Sequence, residues 1–276
     1  MNSLHLRKLI RQALEEDLGF GDLTSGFFPN NKSSSGIFST KADGILAGLE
    51  VINLAYHELD PRVEVDLLKN DGDPVKRGDE IARAKGPTAA LLSGERVILN
   101  LLQHMSGIAT RTKQAVNALE DSPTRVCDTR KTLPGLRMLQ KYAVRCGGGF
   151  NHRFRLDDGI MIKDNHIKAA GGITQAVQKL RAQTGHMTPI EIETETRKQV
   201  LEAVDAGADI IMFDNRSPKE IKEFVQLVPD HIITEISGGI TLQNMAKYRD
   251  VGADYISMGS LTHSVTALDI SFTLLT

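Results

Sequence analysis

From Arg125 onward, short β-rich runs alternate with helical stretches, and this alternation restricts the fold more than any other feature. The runs RVCD, GIMIK, PIEIE, DIIMFDN, HIITEIS and DYISMGS are interleaved with TQAVQKLRAQTG, RKQVLEAVDAG, PKEIKEFVQLV and TLQNMAKYRDVG. Strand, helix, strand, helix is the pattern of parallel βα units. Two units echo each other, since VDAGADIIMFDN and RDVGADYISMGS both run helix end, Gly-Ala-Asp, apolar strand. Gly207 and Gly252 are then helix C-caps. Six such units fit a closed or nearly closed barrel better than an open sheet. No GxGxxG follows a first strand, which disfavours a dinucleotide-binding half.

The preceding part of the chain reads differently. Leu6, Leu9, Ile10, Ala13 and Leu14 keep helical spacing, and GFGDLTSG ends that helix with glycine punctuation. From about Ser35 to Lys85, short strand-like runs with Asp-Gly and Pro turns suggest a small β-rich module. Its DGDPVKRGDEIARAKG stretch looks like part of a biotinyl or lipoyl motif, but no lysine sits at a tight turn for attachment, so it reads as structural. A long helix is expected over about Ala89 to Lys113, with Leu91, Val97, Ile98, Leu101, Leu102 and Met105 as its apolar stripe. A net charge of −2 argues against a dedicated nucleic-acid binder, as does the absence of Trp for base stacking. Cys127 and Cys146 form no CxxC pair and accompany no His-rich cluster, which suits a reduced cytoplasmic protein and argues against a zinc site. The amphipathic N-terminus carries Glu15, Glu16 and Asp17 and has no signal-peptide h-region. No apolar run approaches the roughly 20 residues needed to cross a bilayer.

In a βα barrel the chemistry sits where the strands end. After VCD come Arg130 and Lys131; after IMI come Lys163, Asp164, Asn165 and His166; IEI is followed by Glu193, IIMF by Asp214 and Asn215. The last two strands lead into Ser237-Gly238-Gly239 and Met258-Gly259-Ser260. Cations thus follow the early strands, carboxylates the middle ones and glycine turns the last ones. SGGIT is expected to open a helix whose free N–H groups favour phosphate, at the usual phosphate site of such barrels. Glu193 and Asp214 would repel phosphate unless a divalent metal or ribose hydroxyls intervened. Glu191 is a supporting residue and Glu195 simply continues one strand face. The segment Thr129 to Leu156 holds seven Lys/Arg residues and no Asp or Glu. Within it Arg137, Lys141 and Arg145 read as a solvated helix stripe, on a helix begun by Pro134. Arg130, Lys131, His152 and Arg153 flank turns beside Gly147-Gly148-Gly149, and their natural tenant is a compact anion with two or more carboxylates or phosphates.

The blocks TRKTLPGLRMLQKYAVRCGGGFNHR, DDGIMIKDNHI, EIETE, DIIMFDN, EISGGIT and DYISMGSLTHSV, with EEDLGFGDLTS and LLSGERVILNLLQHMSGIATRT before them, resemble the quinolinate phosphoribosyltransferase family of NAD biosynthesis along essentially the whole chain. That resemblance implies an α/β protein with an N-terminal α/β sandwich (1–112, completed by 266–276) and an incomplete six- or seven-stranded parallel α/β barrel (113–265). It implies transfer of the phosphoribosyl group from phosphoribosyl pyrophosphate to quinolinate, with loss of CO2, assisted by Mg2+. It also implies a homodimer in which Arg96 serves the neighbouring site. Carried over by position, Thr129, Arg130, Lys131, His152 and Arg153 line the quinolinate pocket, and Lys131 and Lys163 meet phosphoribosyl pyrophosphate. Glu193 and Asp214 approach ribose and Mg2+, directly or through water or substrate. Ser237, Gly238, Gly239, Met258, Gly259 and Ser260 form the 5′-phosphate turns. Lys131, Lys163, Glu193 and Asp214 carry the catalytic weight. Leu133, Arg155 and Asp157 depart from the family pattern without removing a charged contact. Three rivals stand beside this reading: a molybdenum-transport-associated relative on the same barrel, an RNA-binding module, and a Schiff-base aldolase using Lys131 or Lys163.

Overall fold

A computed structural model describes residues 1–29 and 31–275. By its internal contacts the chain forms two compact units: 1–113 with 133–148 and 264–276, and 114–132 with 149–263.

The first unit opens with α1 (Ser3–Leu18), capped by Asn2, whose side chain accepts from the Leu4 and His5 amides. Leu6, Ile10 and Leu14 are its buried stripe, as the sequence spacing predicts. There follow β1 (Ser33–Thr40), β2 (Gly44–Ile45), α2 (Glu50–Leu59), β3 (Glu64–Leu67), β4 (Pro74–Val75), β5 (Glu80–Pro87) and α3 (Thr88–Ala118). α3 begins where expected but runs further, its last residues belonging to the second unit. Strands β1, β5 and β3 join the C-terminal strand in an antiparallel sheet, while β2 and β4 pair separately. That C-terminal strand, β12 (Ile270–Leu275), runs antiparallel to β1 from Ser35 opposite Leu275 to Thr40 opposite Ile270.

The second unit is the repeating part. It holds β6 (Arg125–Cys127), then, after α4 (Arg137–Cys146) of the first unit, β7 (Ile160–Ile162), α5 (Asp164–Ala170) and α6 (Ile173–Arg181). β8 (Ile190–Thr194), α7 (Arg197–Asp205), β9 (Ile210–Asp214), α8 (Pro218–Val225), β10 (Ile233–Ser237), β11 (Tyr255–Ser257) and α9 (Ser260–His263) complete it. The six strands form one sheet in the order β6-β11-β10-β9-β8-β7, all parallel. Its two edges, β6 and β7, are consecutive in the chain, as in a barrel left open along one seam. At that seam Phe150 bridges to Cys127, donating its amide to Val126 O (2.8 Å) and accepting from Asp128 N (3.1 Å).

Alternation sorts the strand residues. Ile190, Ile192, Ile211, Phe213, Ile236 and Ile256 are buried, as are Ala176, Val177, Val200, Ala203, Ile221 and Phe224 of the helices. Phe213 meets Phe224 edge to face at 5.7 Å. The opposite side of the same strands bears Glu191, Glu193, Met212, Asp214, Glu235 and Ser237. Thr196 and Ser217 close capping boxes with Gln199 and Glu220, which start α7 and α8 where the sequence expects them.

Two expectations fail. TLQNMAKYRDVG forms only a 3-10 turn, Met245–Tyr248, so no α-helix opens at SGGIT. Gly238 and Gly239 are both left-handed (φ 88° and 66°), and Asn244 folds back, accepting from Thr241 N and donating to Gly239 O. Those side-chain bonds occupy the groups a helical first turn would need. Nor are Arg137, Lys141 and Arg145 a solvated stripe. Lys141 is fully buried, Arg137 half-buried, and Arg145 alone is exposed. The helix they share packs within the first unit along with Leu139, Ala143 and Val144, so its face toward that core takes Lys141 with it.

Candidate functional site

At the C-terminal ends of the barrel strands lies a cavity of about 530 Å³, within the usual range for a small-ligand pocket. Its lining includes Thr129, Arg130 and Lys131 after β6, His152 and Arg153 after the seam, Lys163 after β7, Glu193 from β8, Asp214 and Asn215 from β9, and Ser237, Gly238 and Gly239 from β10. Nine residues that sequence reasoning placed at strand ends therefore share one mouth with His152 and Arg153, read as flanking turns, and with Thr129, carried over from the resemblance. Met161, Met212, Glu235 and Ser257 also line it.

Each cation is held by its surroundings. Lys131 donates its backbone N–H to Thr129 Oγ1 (3.0 Å), and its carbonyl accepts from Thr262 Oγ1 (2.7 Å). Arg153 donates Nη1 to Gly159 O at 2.7 Å. Burial holds the Arg153 guanidinium below its ordinary pKa, and the neighbouring Arg130 lowers it further. Two guanidiniums in repulsive proximity favour an anion between them. Lys163 pairs with Glu193 through Nζ and Oε2, 2.5 Å apart. His166 fixes the backbone there, its Nδ1 accepting from Lys163 N at 3.0 Å, so the KDNH histidine serves the turn. Asp214 accepts from Asn215 Nδ2 at 2.7 Å. Asn215 is one of two non-glycine residues with positive φ among the described residues (54°).

His152 is more constrained than its sequence position suggested. Its amide donates to buried Asp128 Oδ1 (3.0 Å), whose Oδ2 accepts from Asn151 Nδ2 (2.6 Å). Its Nδ1 accepts the Arg153 amide proton at 2.8 Å, and its Nε2 lies 3.0 Å from Glu191 Oε2 and 3.7 Å from Glu235 Oε1. That pattern is the neutral imidazole carrying its proton on Nε2 and giving it to Glu191. Glu191, 3% exposed, thus anchors the histidine, in keeping with a supporting role, while Glu195 is exposed beyond the strand.

The remaining residues read from sequence lie outside the cavity lining. Met258 is buried, with its amide on Cys127 O (2.9 Å), and Ser260 opens the four-residue α9 with its hydroxyl buried and unpartnered. Gly259 backs the wall: a methyl group there would fall 2.8 Å from Lys131 Cδ and 3.1 Å from the His263 ring. The small residue keeps room for Lys131 rather than facing the cavity itself. Arg96 belongs to the first unit, exposed on α3 beside Glu95. Arg155 and Asp157, which depart from the family pattern, pair with each other at 3.0 Å on the surface.

Two acid sets offer oxygen ligands. Glu193 and Asp214, on neighbouring strands lining one cavity, suit a hard cation that keeps most of its water or substrate ligands. His152, Glu191 and Glu235 bring their ligand atoms within 4.8 Å of one another. Here the imidazole is hydrogen-bonded within this second set, to Glu191.

The family description "Quinolinate phosphoribosyl transferase, C-terminal domain" matches residues 108–273, and the corresponding N-terminal domain matches 22–106. The chain is 54% identical over 271 residues to a probable nicotinate-nucleotide pyrophosphorylase [carboxylating] of Bacillus subtilis (strain 168), covering 98% of this chain and 94% of that one. It is 40% identical to a quinolinate phosphoribosyltransferase [decarboxylating] of Nicotiana tabacum, over 96% of this chain and 81% of the relative. Among solved structures, NadC from Streptococcus pyogenes superposes with a TM-score of 0.96 at 39% identity, covering 100% of this chain and 99% of that chain. The nicotinate-nucleotide pyrophosphorylase of Francisella tularensis gives 0.96 at 35%, over 100% and 98%.

Proposed function

Since the chain belongs to the quinolinate phosphoribosyltransferase family, a family of enzymes of NAD biosynthesis, we propose that its barrel mouth joins quinolinate to the ribose of phosphoribosyl pyrophosphate and expels CO2, giving nicotinate mononucleotide and pyrophosphate. The observation that carries this reading is the convergence of Arg130, Lys131, Arg153 and Lys163 with Glu193 and Asp214 in one cavity.

Arg130, Arg153 and Lys131 hold the two carboxylates of quinolinate, with Thr129 steadying the Lys131 turn and neutral His152 shaping the pocket beneath. The pyridine nitrogen then faces C1 of the sugar. Glu193 and Asp214 take the ribose hydroxyls, and Lys163, paired with Glu193, reaches the pyrophosphate. The left-handed Gly238-Gly239 turn, with Ser237 and the Gly259 and Ser260 turn behind it, receives the 5′-phosphate. Pyrophosphate leaves C1 as positive charge develops on the sugar, and the ring nitrogen forms the new bond. Quaternised nitrogen then draws in the electron pair left when the adjacent carboxylate departs. Orientation and fixed charge do the work, and no nucleophilic side chain is needed. When bound near Glu193 and Asp214, Mg2+ supplies positive charge to the departing pyrophosphate.

The working form is a homodimer in which Arg96 reaches the partner's quinolinate. The apolar side chains that the first unit leaves exposed, Leu4, Phe20, Leu23 and Phe27, support self-association. Cys127 and Cys146 are not paired in a disulfide, which supports a reducing cytoplasmic setting, and no described helix is long and apolar enough to cross a membrane.

The test is release of labelled CO2 from quinolinate carrying the label in its 2-carboxylate, in the presence of phosphoribosyl pyrophosphate and Mg2+. Release that depends on both substrates supports the reading. Binding of quinolinate without release, or borohydride trapping of a carbonyl substrate on Lys131 or Lys163, would overturn it.

A further inference from the structure

A ring carbon that loses CO2 must regain a proton. The carbon–carbon bond breaks, its electron pair stays on the carbon beside the quaternised nitrogen, and one proton neutralises it, with no oxidant or reductant involved. Guanidinium groups do not release protons near neutral pH, and Lys163 is held in its pair with Glu193. A different group already carries a proton at the cavity wall.

Glu235 sits at the centre of β10, 5% exposed, and lines the cavity with its Oε1 buried and without a hydrogen bond. A bare buried carboxylate left so costs far more than a neutral carboxyl. The groups that act on it come from several elements around the barrel mouth. Glu191 of β8 already takes the only proton His152 has to give, Asp128 follows β6, and Ser257 of β11 offers its hydroxyl. Burial raises the Glu235 pKa most, and Glu191 raises it next. Ser257 pulls it down, and it settles at about 7. So one buried acid of the pair is engaged by the histidine, and Glu235 holds its proton at the cavity wall.

We propose that Glu235 is the acid that protonates the ring carbon from which CO2 departs, becoming a carboxylate that solvent recharges before the next turnover. The proposal rests on reading this cavity as the quinolinate site.

The experiment follows one turnover of the full chain by rapid quench, measuring pyrophosphate and nicotinate mononucleotide separately. In Glu235→Gln, pyrophosphate formation should stay within about threefold of wild type while the mononucleotide forms at least about 100-fold more slowly and its dicarboxylate precursor accumulates. In the wild-type protein, mononucleotide formation should fall about tenfold per pH unit above about pH 7, with pyrophosphate formation much less affected. Equal slowing of both steps in the variant, or mononucleotide formation near the wild-type rate, overturns the proposal. If the variant does not fold, the wild-type profile decides alone, and a flat mononucleotide step across that range overturns it. A wild-type protein forming no quinolinate-dependent pyrophosphate would instead sink the reading of the cavity, and the proposal with it.

Discussion

Gly238→Ala would place a methyl group 2.3 Å from Asn215 Oδ1, 2.5 Å from its Cγ and 2.9 Å from its amide nitrogen. Asn215 cannot simply turn away. Its amide donates to Ser237 O, its Nδ2 donates to Asp214, and its own backbone is left-handed. The alanine also has to adopt φ 88°, which costs about 1–2 kcal/mol. Overpacking against Asn215 adds about 1–3 kcal/mol. Gly239→Ala separates the two costs, because φ is 66° there and nothing lies within 4 Å of the added methyl. At about 2–4 °C of melting temperature per kcal/mol, Gly239→Ala should melt a few degrees lower and Gly238→Ala roughly 5–15 °C lower. Circular dichroism melts of the two variants measure the difference. Steady-state kinetics should also show a raised KM for phosphoribosyl pyrophosphate in Gly238→Ala, since displaced Asn215 carries Asp214 with it. Equal melting temperatures for the two variants would refute the contact argument.

Lys131→Ala should lower kcat/KM for quinolinate by at least about 100-fold, with a melting temperature near wild type, because the side chain is exposed and its backbone contacts persist. A loss confined to stability would remove it from the site. Arg96→Ala and Lys131→Ala proteins, each inactive alone, should regain about a quarter of wild-type activity after subunits are mixed and reassorted, since half the dimers then rebuild one site. Absence of recovery, with exchange verified by differently tagged subunits, would show that Arg96 serves its own chain or none.

The barrel was readable because period-two apolar runs and capped amphipathic helices repeat, and local signals of that kind survive into structure. The capping boxes at Thr196 and Ser217, signals the sequence carries but the reading did not use, fix those helix starts. The strand-end rule then gathered the cations and acids, since position along a βα unit fixes which end a residue reaches. It misled where side chains compete with the backbone, as Asn244 does after SGG. It also misled at Lys141, where helical spacing cannot tell which face a core will cover. Glu235 went unread although a signal existed: a glutamate inside IITEIS, on the same face as Ser237, is an acid in an otherwise apolar parallel strand. The hold of Glu191 on His152 needed three dimensions, since the two lie on different elements.

The seam between β6 and β7 has a thermodynamic consequence. Interior strands of the sheet have ladders on both flanks, whereas β6 meets the chain across the seam through the two hydrogen bonds of Phe150. Local opening therefore starts there, and the Phe150 and Asp128 amides should exchange with deuterium well before those of β9 and β10. Asp128 also anchors Asn151 and His152, so each breath of the seam loosens the histidine, and a ligand that immobilises His152 would slow amide exchange along an edge it never touches.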